Sequence, residues 1–505
     1  MAYSTIVVGS GISGLSAAIV LAKHRRKPLV LEAHNIPGGC MQMFQRRGPD
    51  GLCRFDTGVH YVGSLYPGQI MWRLFRYLGV EVPTTPLDCE CFDRISLPSG
   101  DFCMPVGWDS VATAMKRECP TEAASIDAYV ARMRQAEASL SWHTLNPEAE
   151  GAYDRELFET SLQQYLQKLG VSPRLRALIC AQSSLYAVPA ADVPLGIHAP
   201  VVGSAVEGPH YINGGGDAIT RRLVDRLKQL GGELRLSAAV KRAVVQGDIV
   251  RGVELSNGEM LHADEVILAV HPKIAVDIMP EDAYRAVLRK RMAAAKACVG
   301  AFVVYGTVDA SADLNGIAGR NHYLLRDDDP DCFYAPQLDG PADAIVNLPP
   351  RTDSGPQLFS AMGSARWEWF APWENTRTLK RAAEYKNLKA RIAGNILTMI
   401  EQRLPQLAGK LTIVETSTPL TLRDYAGYPQ GGIYGNQPSL GAQGRNGVRR
   451  RTRYRGLYVT GAGTGTPGVL GACVTGFGVA GAILGTDALI NEVRSQTDDA
   501  AHKHS

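Results

Sequence analysis

Three glycines near the start of the chain, Gly9, Gly11 and Gly14, stand in the order G-x-G-x-x-G between "YSTIVV", a short β-branched strand, and "LSAAIVLAKH", a helix. A glycine-rich turn alone says little. One that closes a strand and opens a helix has the context that a dinucleotide-binding βαβ unit requires. Gly9 permits the tight turn, Gly11 lets backbone approach a pyrophosphate, and Gly14 allows close packing of helix on strand. The helix N-terminus then faces the phosphates. The next strand, "KPLVLEA", ends at Glu32, where a carboxylate accepts hydrogen bonds from a ribose. No arginine follows, as a 2′-phosphate would favour; His34 is nearest.

A second α/β block starts at His210, "HYINGGGDAITRRLVDRLKQLGGELRL". Asp217 is placed to cap a helix whose Ile219, Leu223, Leu227 and Leu230 share one face, and Gly231-Gly232 ends it. Strands follow, with Asn257-Gly258 as a hairpin turn. A third piece, "RGLYVTGAG" and "GVLGACVTGFGVAGAIL", is a strand, a glycine turn and a small-residue helix. The predicted fold class is α/β: one discontinuous, Rossmann-like three-layer nucleotide-binding domain over residues 1–73, 210–271 and 413–492. A substrate domain of mixed sheet plus helices is inserted as 74–209 and 272–412, and 493–505 reads as a flexible polar tail.

A chain of 505 residues exceeds one simple core. A net charge of +3 gives no reason to expect nucleic acid. Ten cysteines include no zinc-type CxxC pair; Cys89 and Cys91 are the closest. Reduced thiols and a cytoplasmic location are expected, and no metal. Thr5–Ala22 and Gly456–Thr486 are apolar but glycine-interrupted, and neither reads as a membrane span. Three of the six tryptophans crowd into "RWEWFAPW", Arg366–Trp373. This is read as insertion-domain core, with a membrane-surface patch as the other possibility. "KHRRK", Lys23–Lys27, is read as a solvated helix end.

The loop "NIPGGCMQMF" selects among dinucleotides. Its pair Gly38-Gly39 directly follows the ribose acid, where large flavoproteins run a loop along the pyrophosphate and ribityl chain. With "FDTGVHYVG", "STPLTLRDYAGYPQGGIYG" and "GLYVTGAGTGTPGVLGACVTGFGVAG", it makes the chain resemble the phytoene desaturase, carotenoid isomerase and retinol saturase family of FAD-dependent oxidoreductases over nearly its whole length. The resemblance is strongest toward retinol-saturase-like members. It implies FAD, with Gly9, Gly11, Ser13 and Gly14 at the pyrophosphate and Glu32 at the adenosine ribose. It places Gly38, Gly39 and Cys40 on the ribityl side and gives Val240 main-chain pairing with adenine. Gly461, Ala462 and Gly463 return to the pyrophosphate, while Gly468, Val469 and Leu470 open the helix under the flavin.

It also runs "FDTGVHYVG" beside the isoalloxazine. Gly58 allows close approach, Asp56 fastens the loop through backbone hydrogen bonds, and His60 and Tyr61 face substrate as candidate catalytic residues. For His60 a packed, satisfied histidine stands beside an acid or base. The implied reaction is double-bond reduction of an apolar isoprenoid, polyene or fatty acyl molecule. Desaturation, isomerisation, amine oxidation and a non-catalytic prenyl-protein escort stand as alternatives. Only one G-x-G-x-x-G is present, so NAD(P)H enters, if at all, as a transient electron donor. Peripheral membrane contact fits an apolar substrate. Oligomeric state is not legible.

Overall fold

The computed structural model describes residues 3–152, 156–335, 340–350, 355–376, 378–442 and 447–501. Two seven-stranded sheets organise it. In the first, Tyr3–Val8 lies between Pro28–Leu31 and Met260–Leu268, parallel to both. Glu233–Arg235 extends one side and Leu457–Val459 joins Met260–Leu268 in parallel. The antiparallel ribbon Val240–Gln246/Ile249–Leu255 completes the other side. The central strands are apolar at successive positions because both of their faces are covered, as parallel sheets require.

Helix Ile12–Lys23 is buried from Ile12 to Ala22. It lies between the sheet and helix Gly468–Leu484, and small residues bring the two helices together. A Cβ on Gly476 would stand 2.3 Å from the Ser13 carbonyl oxygen. Helix Gly215–Gln229 follows Gly214 at φ +85° and has no side-chain cap. Asp217, expected to be that cap, instead pairs with Arg54 and Arg221.

Both insertions feed the second sheet. Asp93–Leu97 pairs with Gly100–Met104 and, in parallel, with Asn321–Leu325. Asp343–Asn347, Gln357–Ala365, Gly300–Val308 and Leu411–Ser417 follow antiparallel. Leu411–Ser417 carries this sheet past the expected boundary at 412. Side-chain alternation covers both faces. Tyr323, Leu325 and Ile345 pack on the helices of 108–206, whereas Leu324, Ala344 and Val346 pack on Ala383–Arg403. The tryptophan-rich stretch joins the latter core: Phe370 is fully buried, and Trp367, Trp369 and Trp373 pack against the same cluster.

Two further expectations are corrected. The tail forms helix Thr486–Ala501, with Val493 and Thr497 buried; 502–505 lie outside the described residues. Cys91 and Cys103 form a disulfide. Cross-strand pairing brings them together, since Cys103 lies opposite Arg94 in the hairpin, and sequence spacing does not reveal that neighbour. Reduced thiols therefore no longer support a cytoplasmic location. Among the described residues no helix is long and apolar enough to cross a membrane, and no His/Cys/Asp/Glu group is arranged to hold a metal.

Candidate functional site

The three signature glycines have different duties. A Cβ on Gly9 would lie 2.4 Å from the Ala269 carbonyl oxygen, and one on Gly14 would lie 2.1 Å from that of Gly9. Both positions are closed by the protein itself. Gly11 has ordinary extended torsions, φ −63° and ψ 168°, and its missing Cβ faces open space with nothing within 4 Å. The protein's own packing does not require glycine there. The helix it caps has no side-chain cap and no acid in its first turn. Its free amides and positive dipole end are therefore available to an anion.

Ser10 gathers the surrounding segments. Its hydroxyl donates to Glu32 Oε2 at 2.6 Å and accepts from the Gly38 amide at 3.1 Å, while its own amide donates to the same carboxylate oxygen at 3.0 Å. The His34 amide donates to Oε1 at 2.9 Å. A carboxylate accepts about four hydrogen bonds, so Glu32 fastens the turn and keeps room for one outside donor. Gly39 lies on the turn, its absent Cβ 3.5 Å from Gly11 Cα. Val240 begins its strand two residues after Ala238, whose amide donates to the Glu32 carbonyl. The Ser13 hydroxyl turns inward to Thr460 and Thr475, so its side chain is occupied by the protein itself.

The loop Phe55–Gly63 is laid over this frame. Thr57 Oγ1 donates to the Cys40 carbonyl at 3.1 Å, and a Cβ on Gly58 would approach that oxygen to 3.3 Å. Asp56 accepts from the Gly216 amide at 2.7 Å, at the start of helix Gly215–Gln229. A Cβ on Gly215 would collide with its carboxylate at 2.4 Å, which explains glycine there. Burial pushes the Asp56 carboxyl up to about 7 against the pull of that amide.

Across the site, Gly461 has φ +119°, Ala462 and Gly463 follow, and Gly468 at φ +87° faces open space. Helix Gly468–Leu484 also has no side-chain cap and no acid in its first turn. A cavity of about 120 Å³ separates this helix start from the loop and brings Gly58, His60 and Tyr61 together with Gly468, Val469 and Leu470. A larger cleft of about 540 Å³, lined partly by Leu288, Met292, Leu440, Ala462 and Gly463, shares Tyr434 and Pro467 with it. Two uncapped helix starts, two glycines facing open space and one spare acceptor on Glu32 fit a dinucleotide lying along the groove.

His60 lines the cavity, with Nδ1 3.5 Å from Ser360 Oγ. The near-neutral titration expected of it is not what this position allows: burial pushes the imidazole down to about 4. Its partial surface exposure belongs to the cavity wall, so a neutral ring follows from its depth. Tyr61 also lines the cavity, and its hydroxyl donates to Asp93 at 3.1 Å and lies 3.3 Å from that of Tyr323. Sequence reading missed His143, a second cavity-lining histidine pushed down to about 4 by burial, and missed Asp93. Neither carries a motif. His143 sits in a helical insertion and Asp93 at an unremarkable strand start.

Residues 7–78 match the NAD(P)-binding Rossmann-like domain family. The chain is 25% identical to the all-trans-retinol 13,14-reductase of Rattus norvegicus over 537 residues, covering 96% of this chain and 85% of that protein. It is 25% identical to prolycopene isomerase 1 of an Oncidium hybrid cultivar over 500 residues, covering 91% and 80%. The solved cyclohexylamine oxidase of Brevibacterium oxydans superposes with a TM-score of 0.62 at 16% identity, covering 98% of this chain and all of that one, and shares the fold. By these similarities the chain is an FAD-dependent oxidoreductase, and over nearly its whole length it resembles retinol reductases and prolycopene isomerases.

Proposed function

We propose that this protein reduces a carbon–carbon double bond in an apolar, extended isoprenoid, polyene or fatty acyl substrate. The observation carrying the reading is the cavity between Gly58–Gly63 and Thr466–Gly471, which joins a glycine-lined helix start to His60 and Tyr61. The names of the relatives, a retinol reductase and a prolycopene isomerase, favour an isoprenoid.

Bound FAD supplies hydride transfer at N5. Gly9, Gly11, Ser13 and Gly14 would hold its pyrophosphate with Gly461, Ala462 and Gly463; Glu32 its ribose; Gly38, Gly39 and Cys40 its ribityl chain; and Val240 its adenine. The start of helix Gly468–Leu484, at Gly468, Val469 and Leu470, directs uncapped amides at charge developing nearby. His60, neutral at physiological pH, would orient substrate in the cavity. A cavity of about 120 Å³ is smaller than the ~300–1,000 Å³ of most ligand pockets, so the substrate's length would extend into the 540 Å³ cleft past Tyr434 and Pro467. With one dinucleotide groove allotted to FAD, NAD(P)H would dock only transiently as electron donor. An apolar substrate favours peripheral membrane contact.

The test is anaerobic. Chemically reduced enzyme is mixed with retinoids, carotenoids or unsaturated acyl chains while flavin absorbance and products are followed. Flavin reoxidation with a saturated product supports the reading. A rearranged double bond without reoxidation selects isomerisation. Inert reduced enzyme, together with a new double bond formed by oxidised enzyme and an acceptor, selects desaturation.

A further inference from the structure

Asp93 is fully buried, yet among the described residues no cation faces its carboxylate. Asn321 Nδ2 donates to Oδ1 at 2.7 Å, and Gln182 Nε2 and Tyr61 Oη donate to Oδ2 at 2.7 and 3.1 Å. Asn347 Nδ2 in turn donates to Asn321 Oδ1 at 2.8 Å. Tyr323 approaches from the strand beside Asp93, with Tyr434 beyond it, and Met104 lies opposite on the neighbouring strand. The amide oxygen of Gln182 is buried without a donor among the described residues. Apolar residues of similar volume would pack at least as well as a buried carboxyl held only by neutral donors, so the network points to a role beyond stability. Among the described residues, Tyr61 is the hydrogen-bond partner of Asp93 that also lines the 120 Å³ cavity.

We propose that Tyr61 donates the proton of the reaction and that Asp93 is its positioning residue, handing Tyr61 a replacement proton in the same step. The inference rests on the double-bond reduction proposed above. The Tyr61 O–H bond breaks as a C–H bond forms at one carbon of the substrate. With Asp93 protonated, the 3.1 Å hydrogen bond runs from Asp93 Oδ2–H to Tyr61 Oη, opposite to its direction beside the carboxylate, and frees the Tyr61 proton for the cavity. The Asp93 O–H bond then breaks as the Tyr61 O–H bond re-forms, and the resulting carboxylate later takes a proton from water. The two electrons arrive with hydride at the other carbon, so the relay moves a proton only.

The relay avoids a tyrosinate, which burial and the adjacent carboxylate both oppose. Burial pushes the Asp93 carboxyl up to about 6, so a usable fraction is protonated near neutrality. His60, pushed down to about 4, has lost its proton at that pH. Turnover limited by proton delivery should therefore fall as pH rises through about 6.

The test uses flavin-loaded wild type, Asp93→Asn, Tyr61→Phe and the double variant, with wild type and Tyr61→Phe also studied as apoprotein. Flavin content and flavin reduction by an artificial donor should stay at wild-type levels. Product formation near pH 6 should fall ~100-fold or more in either single variant, with the double no worse. The decline with rising pH should vanish in Asp93→Asn. Infrared titration of the apoprotein should show a buried carboxyl band that is lost near pH 6 in wild type and shifts in Tyr61→Phe. An Asp93→Asn protein that holds flavin and keeps the wild-type rate and pH profile overturns the relay. If Asp93→Asn does not fold, the infrared titration decides: a band insensitive to Tyr61→Phe overturns the proposal. If wild type reduces no double bond, the function proposed above fails, and the same infrared readout still judges the coupling.

Discussion

Replacing Gly11 and Gly14 separately should give opposite failures, although they lie three residues apart in one motif. A Cβ on Gly14 would stand 2.1 Å from the Gly9 carbonyl oxygen and 3.1 Å from Ala269 Cβ. Those are a main-chain atom and a packed neighbour, so backbone must move, and overpacking of this kind costs ~1–3 kcal/mol or more. At Gly11 the torsions suit any residue and nothing stands within 4 Å. Gly11→Val loses a favourable N-cap residue, ~1 kcal/mol, and recovers ~0.4–1 kcal/mol from a less flexible unfolded chain. The apoprotein should therefore be nearly as stable as wild-type apoprotein. Its branched side chain would fill the approach to the helix amides and block the pyrophosphate. Cofactor at 100 times its Kd stabilises the wild type by ~2.7 kcal/mol. At ~2.1 cal/mol/K per residue over 505 residues, that is a melting shift of roughly 2–3 °C for cooperative unfolding. Flavin absorbance per protein and thermal melts with and without added FAD provide the assay. Gly11→Val should fold, lack flavin and show no FAD-dependent shift, whereas Gly14→Ala should melt lower than wild type even as apoprotein. Full flavin content in Gly11→Val would refute the assignment of the groove.

His60→Ala should retain flavin and slow turnover by up to ~100-fold through a misplaced substrate, and near-normal turnover would return His60 to a packing role. His60 adds stability only above its unfolded pKa of about 6.5, lost as pH falls toward about 4. Its removal should therefore reduce acid lability between those values, as read from denaturant midpoints across pH. Replacing Cys91 and Cys103 with serine opens a crosslink of sequence separation 12 and should cost up to ~3 kcal/mol. Wild type treated with reductant should then melt like the double variant, and a wild-type midpoint indifferent to reductant would contradict a formed disulfide.

The nucleotide-binding half was legible because its function restricts main chain to residue types that can be recognised. Gly9 and Gly14 are glycines for packing, Gly11 faces open space, and the three together leave a pattern. Gly58 and Gly468 were legible for the same reason, and they meet at one cavity although far apart in sequence. Asp93, Tyr323, Gln182 and His143 were not legible. Each matters through a partner supplied by another segment, such as Asn321 across a parallel strand pair. The Cys91–Cys103 disulfide, where reduced thiols were expected, and the pairing of Asp217 with Arg54 instead of a helix cap likewise depend on a partner from another segment. Burial also reversed the chemistry of His60, whose intrinsic pKa says nothing about the depth at which it sits.

The order of segments in the two sheets has a consequence for how the protein is made. Helix Ile12–Lys23 is buried along nearly its whole length and packs on Gly468–Leu484, which is synthesised only after both insertions. Strand Asp93–Leu97 likewise waits for Asn321–Leu325 before its sheet can form. On the ribosome, neither domain can close until most of the chain has already emerged. Contacts of such long range fold slowly and leave apolar surface open to aggregation. The last closure is also the one that sets Gly468 opposite His60. Cofactor capture would then coincide with the end of folding, and FAD supply during synthesis would set how much of the chain escapes misassembly.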